Sequence, residues 1–386
     1  MIDPIGAHGE VAESLVSYIG TAFGTRFRTL EFEREQLLRA PGSLCQQPWI
    51  EPLPRYESSG KSIDQLELAD LPGLPAAAAA DFRSLAACGL VGEFPLYRHQ
   101  LEMLTKALTG QSCVITAGTG SGKTESFLLP LMAYLAGESL AWNPPRAAPP
   151  HASDWWASDE WRDQCVPLVG GQRRWRRSLR VPQRSHEQRT AAVRALVVYP
   201  MNALVEDQLS RLRRALDSPQ ARQWMAANRG GNRIYVGRYT GLTPVPGHEY
   251  RRPASNGRQV PDSQRIERLA AALQAAERAA QIAERYSAEP GREDVRYFFP
   301  RLDGAEMRSR WDMQDAPPDI LITNFSMLSI MLMRDADDGI FGLPPVAWRP
   351  PPLREGRWQR RDGSSMRTSR SARCESCASP ASRSRR

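Results

Sequence analysis

Ser112 to Glu125 reads SCVITAGTGSGKTE, and no other stretch of this chain limits its fold as narrowly. Cys113-Val114-Ile115-Thr116 has the length and β-branched content of a buried parallel strand. It runs into a turn, Ala117 to Gly122, in which Gly118, Gly120 and Gly122 free the backbone to curl until successive N–H groups point at one anion. Ser126 to Leu135 (SFLLPLMAYL) resumes at helical spacing, so the positive end of a new helix faces the same point. Strand, glycine turn, Lys123-Thr124 and helix make a phosphate cradle. Thr119, Gly120, Ser121 and Gly122 would line it, Lys123 would reach the β- and γ-phosphates of ATP, and Thr124 would offer its hydroxyl to Mg²⁺. The usual pattern has Gly six places before the lysine, where this chain has Ala117.

A cradle stands on a sheet, and 386 residues with 41% hydrophobic content can bury a real core and fill two domains or more. No run of eighteen apolar residues exists, and the start, MIDPIGAHGEV, lacks the basic-then-apolar pattern of a signal peptide, so a cytoplasmic protein is expected. Of the cysteines at 45, 88, 113, 165, 374 and 377 only the last two have ligand spacing, and a zinc site needs a second pair. Free thiols in a reducing compartment are the expectation. The net charge of +8 points to nucleic acid only until it is located. Gly342 to Arg386 holds eleven Arg and three acids, which is the whole excess; the other 341 residues carry 40 basic and 40 acidic groups. The body of the chain is neutral, so its partners are not read from its charge.

In chain order, residues 1–91 read as a helical N-terminal region, with Val11, Leu15, Tyr18 and Ile19 at helical spacing and a second amphipathic piece from Leu30 to Leu38. The alanine run at 76–80 suits a short helix or spacer. Phe94-Pro95-Leu96-Tyr97-Arg98-His99-Gln100 leads into a helix just before the cradle. Gln100 could there satisfy both polar edges of adenine while Tyr97 or Phe94 stacks on the ring. Residues 137–193 break the pattern with Pro, Ala and Trp, and from Gly170 to Arg194 eight arginines face one acid, Glu187. Two readings stay open: a strip that tracks a phosphate backbone with tryptophans stacking on bases, or an insertion whose tryptophans cover core and whose arginines are solvated.

Regular structure returns at 194–200 (RALVVYP), a buried-strand run, and the following MNALVEDQLSRLRRAL places Leu204, Leu209, Leu212 and Leu216 on one helix face. Pro200 to Ala203 is the turn that opens that helix. A third strand, Arg233 to Gly237, runs into Arg238-Tyr239-Thr240-Gly241, where Arg238 suits a phosphate and Gly241 a close backbone approach. Ser263 to Tyr286 carries small apolar residues three and four apart, as a surface helix or hairpin arm does. The fourth strand, in the run Pro317 to Asn324, ends in the polar pair Thr323-Asn324 and precedes a Met- and Leu-rich helix. Four strand-then-helix units in series imply an α/β fold with a parallel sheet, its ligands outside the carboxyl ends of the strands, where all four loops would lie.

AGTGSGKTE (117–125), YPMNALVEDQL (199–209), GRYTGLTPVPG (237–247) and PPDILITNFSML (317–328) together resemble the N-terminal part of the large bacterial DEAD/DEAH-box superfamily 2 helicases. The resemblance covers about Asp3 to Phe341. It implies an incomplete RecA-like P-loop domain over 92–341, with insertions at 137–193 and 248–300, preceded by the helical region; the tail at 342–386 does not fit the resemblance, and its Arg, Ser and Pro with no Ile, Phe or Tyr read as a disordered basic segment. It further implies ATP and Mg²⁺ as cofactors and single-stranded or duplex DNA as partner, RNA not being excluded. Pro200, Asn202, Arg238, Thr240, Gly241, Thr323 and Asn324 are then the nucleic-acid contacts, and Gln100 the adenine-side residue. The family's next element, a strand ending in Asp-Glu, is missing: of the acids after Asn324 (335, 337, 338, 355, 362, 375) none follows a four-residue apolar run. The second RecA-like domain is missing too. The expectation is a chain that binds ATP and nucleic acid but neither hydrolyses nor unwinds alone, with two alternatives: half of a split helicase completed by a partner chain, and a nonenzymatic nucleotide-dependent DNA-binding module using the 170–194 arginines. The tail is read as the product of a gene interrupted by a frameshift, the competing reading being a basic nucleic-acid-binding arm.

Overall fold

The computed structural model describes residues 3–46, 55–118, 120–158, 165–167, 173–175, 178–251 and 259–342. The basic tail, Cys374, Cys377, Thr119 and Trp161 lie outside them. The chain divides into two units, Met1–Tyr56 and Glu57 onward. The first unit holds helices α1 (Pro4–Ala22) and α2 (Arg28–Arg39), with Val16 buried and Arg39 paired with Glu13 and Glu35. The expected N-terminal region is helical, but its second half, 57–91, packs as part of the larger unit.

In that unit the alanine run becomes α3 (Ala76–Ala87), whose Ala78, Ala79, Phe82, Leu85 and Ala86 are all buried. Small side chains let α3 lie close against α5 (Lys123–Ser139), the helix that follows the cradle, and α4 (Arg98–Leu108) packs on α5 as well. Leu128, Leu129, Met132, Ala133, Leu135 and Ala136 bury α5 nearly all round, as its continuous apolar sequence requires.

Two short antiparallel pairs, β1 (Cys165–Pro167) with β2 (Arg173–Trp175) and β5 (Tyr250–Arg251) with β6 (Val260–Pro261), stand apart from the main sheet. The main sheet is parallel and runs β3 (Ala195–Tyr199), β7 (Ile320–Asn324), β4 (Val236–Tyr239). This is the α/β, parallel-sheet architecture expected of a RecA-like domain. The third strand is displaced: Val236–Tyr239 pairs, rather than 233–237, because Tyr235 N–H is taken by the Asp319 carboxylate at 2.7 Å. Cys113–Thr116 departs from expectation further. It joins no sheet among the described residues, and Val114 is 92% exposed; an isolated apolar run has no ladder to complete.

Helix α6 (Asn202–Asp217) follows β3 and buries Val205, Leu209, Leu212, Ala215 and Leu216 against the sheet, while Leu204, expected on that face, is turned out. Helix α7 (Pro219–Arg229) follows directly, its N-terminus capped by Ser218. Helix α8 (Ser263–Ser287) is no surface arm in its first half. Its Ile266, Leu269, Ala270 and Leu273 form a second core with Trp155, Trp156, Val245, Leu302 and Trp311. The expected insertions therefore fold on one another: Trp156 Nε1 donates to Glu277 at 3.0 Å, and Gln274 donates back to the Trp156 carbonyl at 2.6 Å. Helices α9 (Arg310–Asp315), α10 (Phe325–Met331) and α11 (Asp338–Phe341) finish the unit. No helix among the described residues is long and apolar enough to cross a membrane.

The arginines of 180–194 fit neither sequence reading, because they are buried and paired. Arg180 meets Asp312 (2.7 Å), Glu249 (2.7 Å) and Asp315; Arg184 meets Glu187 at 2.7 Å. Arg189 and Arg194 converge on Asp319 at 2.6 and 2.8 Å, and Arg189 lies 3.8 Å above the Trp142 ring. These guanidiniums bind the insertion to the sheet, and their burial keeps them from a phosphate backbone. Trp142, Trp155 and Trp156 cover core, as the second of the two sequence readings had it.

Candidate functional site

Three parallel strands in register bring their carboxyl ends to one edge: Tyr199 lies beside Asn324, and Tyr239 beside Thr323. The turn into α6, the 240–243 turn and the start of α10 all leave from that edge. Asn324 Nδ2 donates to Asn202 Oδ1 at 2.7 Å, while Asn324 Oδ1 caps α10 through Met327 N–H. Pro200, Asn202 and Gly241 are exposed there. Arg238 is partly exposed and paired with Glu206 on α6. Thr240 and Thr323 are corrections: both are buried, Thr323 Oγ1 donates to Tyr239 O at 2.6 Å, and Thr240 N–H donates to Thr243 Oγ1 at 2.9 Å. Their hydroxyls brace the edge and are not presented to a ligand.

The glycine turn meets the same edge through α6. Gly120 and Gly122 have φ of 77° and 71°, the left-handed region that the sequence reserves for glycine. A Cβ on Gly120 would stand in open space, whereas one on Gly122 would lie 2.3 Å from Gln100 Nε2. Beside the turn opens a cleft of about 1070 Å³, lined by Phe94, Tyr97 and Gln100 on one side, Gly120 to Glu125 on another, and Tyr199, Asp207, Gln208 and Arg211 opposite. Lys123 is exposed at its rim and pairs with no acid among the described residues.

Gln100 is placed differently from the expectation. It is buried, Oε1 accepts from Tyr97 N–H at 2.8 Å, and Nε2 donates to Gly122 O at 3.0 Å, so both amide groups are engaged. His99 adds a second tie, Nε2 to Ser121 O at 2.9 Å, and Ser121 Oγ donates to Gly118 O at 2.8 Å. Gln100 thus latches α4 to the cradle, and Phe94 and Tyr97 line the cleft beside it.

Sequence reasoning passed over the opposite wall. Gln208 Nε2 donates to Thr124 Oγ1 at 3.1 Å, and Arg211 pairs with Glu125, so α6 grips the first turn of α5 at two points. Gln208 is buried and its Oε1 has no partner. The signal was present: Gln208 interrupts an apolar helix face between Val205 and Leu212, and a polar side chain there needs a reason. The donor set fits a Mg–nucleotide on this structure's own terms. The Thr124 hydroxyl lines the cleft, the open space over Gly120 admits an anion, and an unsatisfied acceptor stands behind the hydroxyl.

Residues 97–235 match the family model described as DEAD/DEAH box helicase. The Druantia protein DruE of Escherichia coli (strain UMEA 4076-1) is similar, 29% identical over 366 residues that cover 87% of this chain. The match takes in 17% of that relative's length. No solved structure matches. From the helix that carries Gln100, through the cradle, to the threshold of β4, this chain is similar to the DEAD/DEAH box helicases.

Proposed function

We propose that the chain is the ATP- and nucleic-acid-binding N-terminal portion of a DEAD/DEAH-box helicase, and that alone it neither hydrolyses ATP nor separates strands. The observation that carries this reading is the cleft over the glycine turn, where Lys123 and the Thr124 hydroxyl stand at the N-terminus of a fully anchored helix. Gly120, Ser121, Gly122, Lys123 and Thr124 would hold the triphosphate, with Thr124 on Mg²⁺. Bound Mg²⁺ supplies charge neutralisation at the phosphates. Pro200, Asn202, Gly241 and Asn324 would meet the backbone of single-stranded or duplex nucleic acid, partly through exposed N–H groups.

Inactivity toward hydrolysis follows from the acids. Among the described residues Glu125 and Asp207 are the carboxylates that line the cleft, and both stand on helices and pair with Arg211, whereas the family's acidic pair ends a sheet strand. Titration of purified chain with a fluorescent ATP analogue tests the first half: binding is expected, and binding that survives Lys123→Ala overturns the cradle. Steady-state ATPase measurement with and without DNA tests the second: turnover that Lys123→Ala abolishes refutes inactivity.

A second reading, completion by a partner chain, is favoured by the outer strand. β3 forms an edge of the described sheet with Leu196 and Val198 43% and 40% exposed, and the 113–116 run joins no sheet among the described residues. Under that reading turnover appears only on adding a chain that carries the acidic strand.

A further inference from the structure

Thr124 has two different hydrogen-bonding duties if the proposed function holds, and one neighbouring side chain is equipped for both. As the structure stands, its oxygen accepts a hydrogen bond from Gln208 Nε2 at 3.1 Å. Once a divalent cation takes that oxygen, the metal withdraws its electrons, and the hydroxyl becomes a donor that needs an acceptor. A donor aimed at a metal-bound oxygen is then in the wrong sense. Gln208 carries donor and acceptor on one terminal amide, and its Oε1 is buried with no partner. The torsion that exchanges the two is soft and roughly two-fold.

We infer that Gln208 is a positioning residue for the nucleotide-bound cation: its amide donates to Thr124 in the metal-free site and turns to accept a hydrogen bond from the Thr124 hydroxyl when Mg²⁺ binds. No covalent step is involved, and the proton stays on Thr124. The inference rests on the proposed nucleotide site but assigns a role to a residue outside the glycine turn. It also says why α6 carries a glutamine in its apolar stripe. Gln208 lies six positions after the exposed Asn202 on the same helix, and Arg211 clamps that helix to Glu125.

The test is the Mg²⁺ dependence of nucleotide affinity, measured by titrating the full chain with a fluorescent ATP analogue in Mg²⁺ and in EDTA. Gln208→Met, nearly isosteric and without polar groups, is expected to lower the ratio of the two affinities roughly 5- to 150-fold while leaving affinity in EDTA within about two-fold. Gln208→Glu keeps an acceptor facing the hydroxyl and is expected to retain or raise the ratio, since its added charge is buried and little screened by salt; a ratio as low as that of Gln208→Met overturns the inference. A merely structural brace behaves otherwise, because Met then weakens binding equally in both conditions. That equal loss overturns the inference, as does an unchanged ratio in Gln208→Met. Failure of the unaltered chain to bind nucleotide overturns the proposed function and this inference with it, whereas binding with no Mg²⁺ dependence overturns this inference alone.

Discussion

Asp319→Asn removes a single charge at the point where the insertion meets the sheet, and its cost follows from the hydrogen bonds that this carboxylate accepts. They come from Arg189 Nη1 and Nη2, both at 2.6 Å, from Arg194 Nη1 at 2.8 Å and from Tyr235 N–H at 2.7 Å, and the group is fully buried. An amide of the same shape keeps one acceptor and turns two N–H donors toward guanidiniums that are themselves 3% exposed. Breaking one side of such a buried network costs about 3–5 kcal/mol, because the remaining charges stay desolvated and unpaired. For a unit of this size that lowers Tm by roughly 6–20 °C. Burial alone would raise the Asp319 pKa and is the largest single influence. The charges of Arg189 and Arg184, the Arg189 hydrogen bonds and Arg194 overcome it and hold the group below the ordinary carboxylate range. The sign follows: the stabilisation is complete above the unfolded aspartate value of about 3.9 and is lost as pH falls through the lower folded one. Urea denaturation of both proteins at neutral pH decides the matter. A difference under about 1 kcal/mol refutes the view that these arginines are structural.

Asp217 predicts the opposite behaviour. Burial raises its pKa despite the hydrogen bonds from Ala305 N–H at 2.8 Å, so its ionised form burdens the fold increasingly as pH rises from the unfolded value through the folded one. Asp217→Asn, which keeps an acceptor for Ala305, is expected to be neutral or stabilising in urea melts at about pH 8. Gly122→Ala should lose more stability and more ATP-analogue affinity than Gly120→Ala. Both incur the left-handed backbone cost of about 1–2 kcal/mol, but only the former drives a methyl into Gln100. Trp156→Ala should cost about 3–5 kcal/mol in the same melts by opening a cavity in the second core.

Local chemistry was legible in the sequence, and mutual packing was not. The glycine turn, the β3 and β7 runs and the apolar face of α6 each announce themselves within a dozen residues, and each formed. Asp319 and its arginines did not, since the signal for an ion pair 130 residues apart is spread over two segments that look solvated when read singly. Gln100 misled for a related reason: its type and position suit a base edge, but the last glycine of the cradle supplied a nearer carbonyl. The 113–116 run shows a limit of periodicity, which names strand character but cannot supply the neighbour a ladder requires.

The shared core of the two insertions bears on how the chain reaches its native state. Trp156 and Glu277 are 121 positions apart, and closing a loop of that length from an open chain costs about 4 kcal/mol before any interaction offsets it. β3, α6 and β4 lie between them, and once those elements have docked the two arms start already close together. The tryptophan core should therefore be the last part to consolidate and the first to open, and removing either arm would strand the other's apolar surface in water.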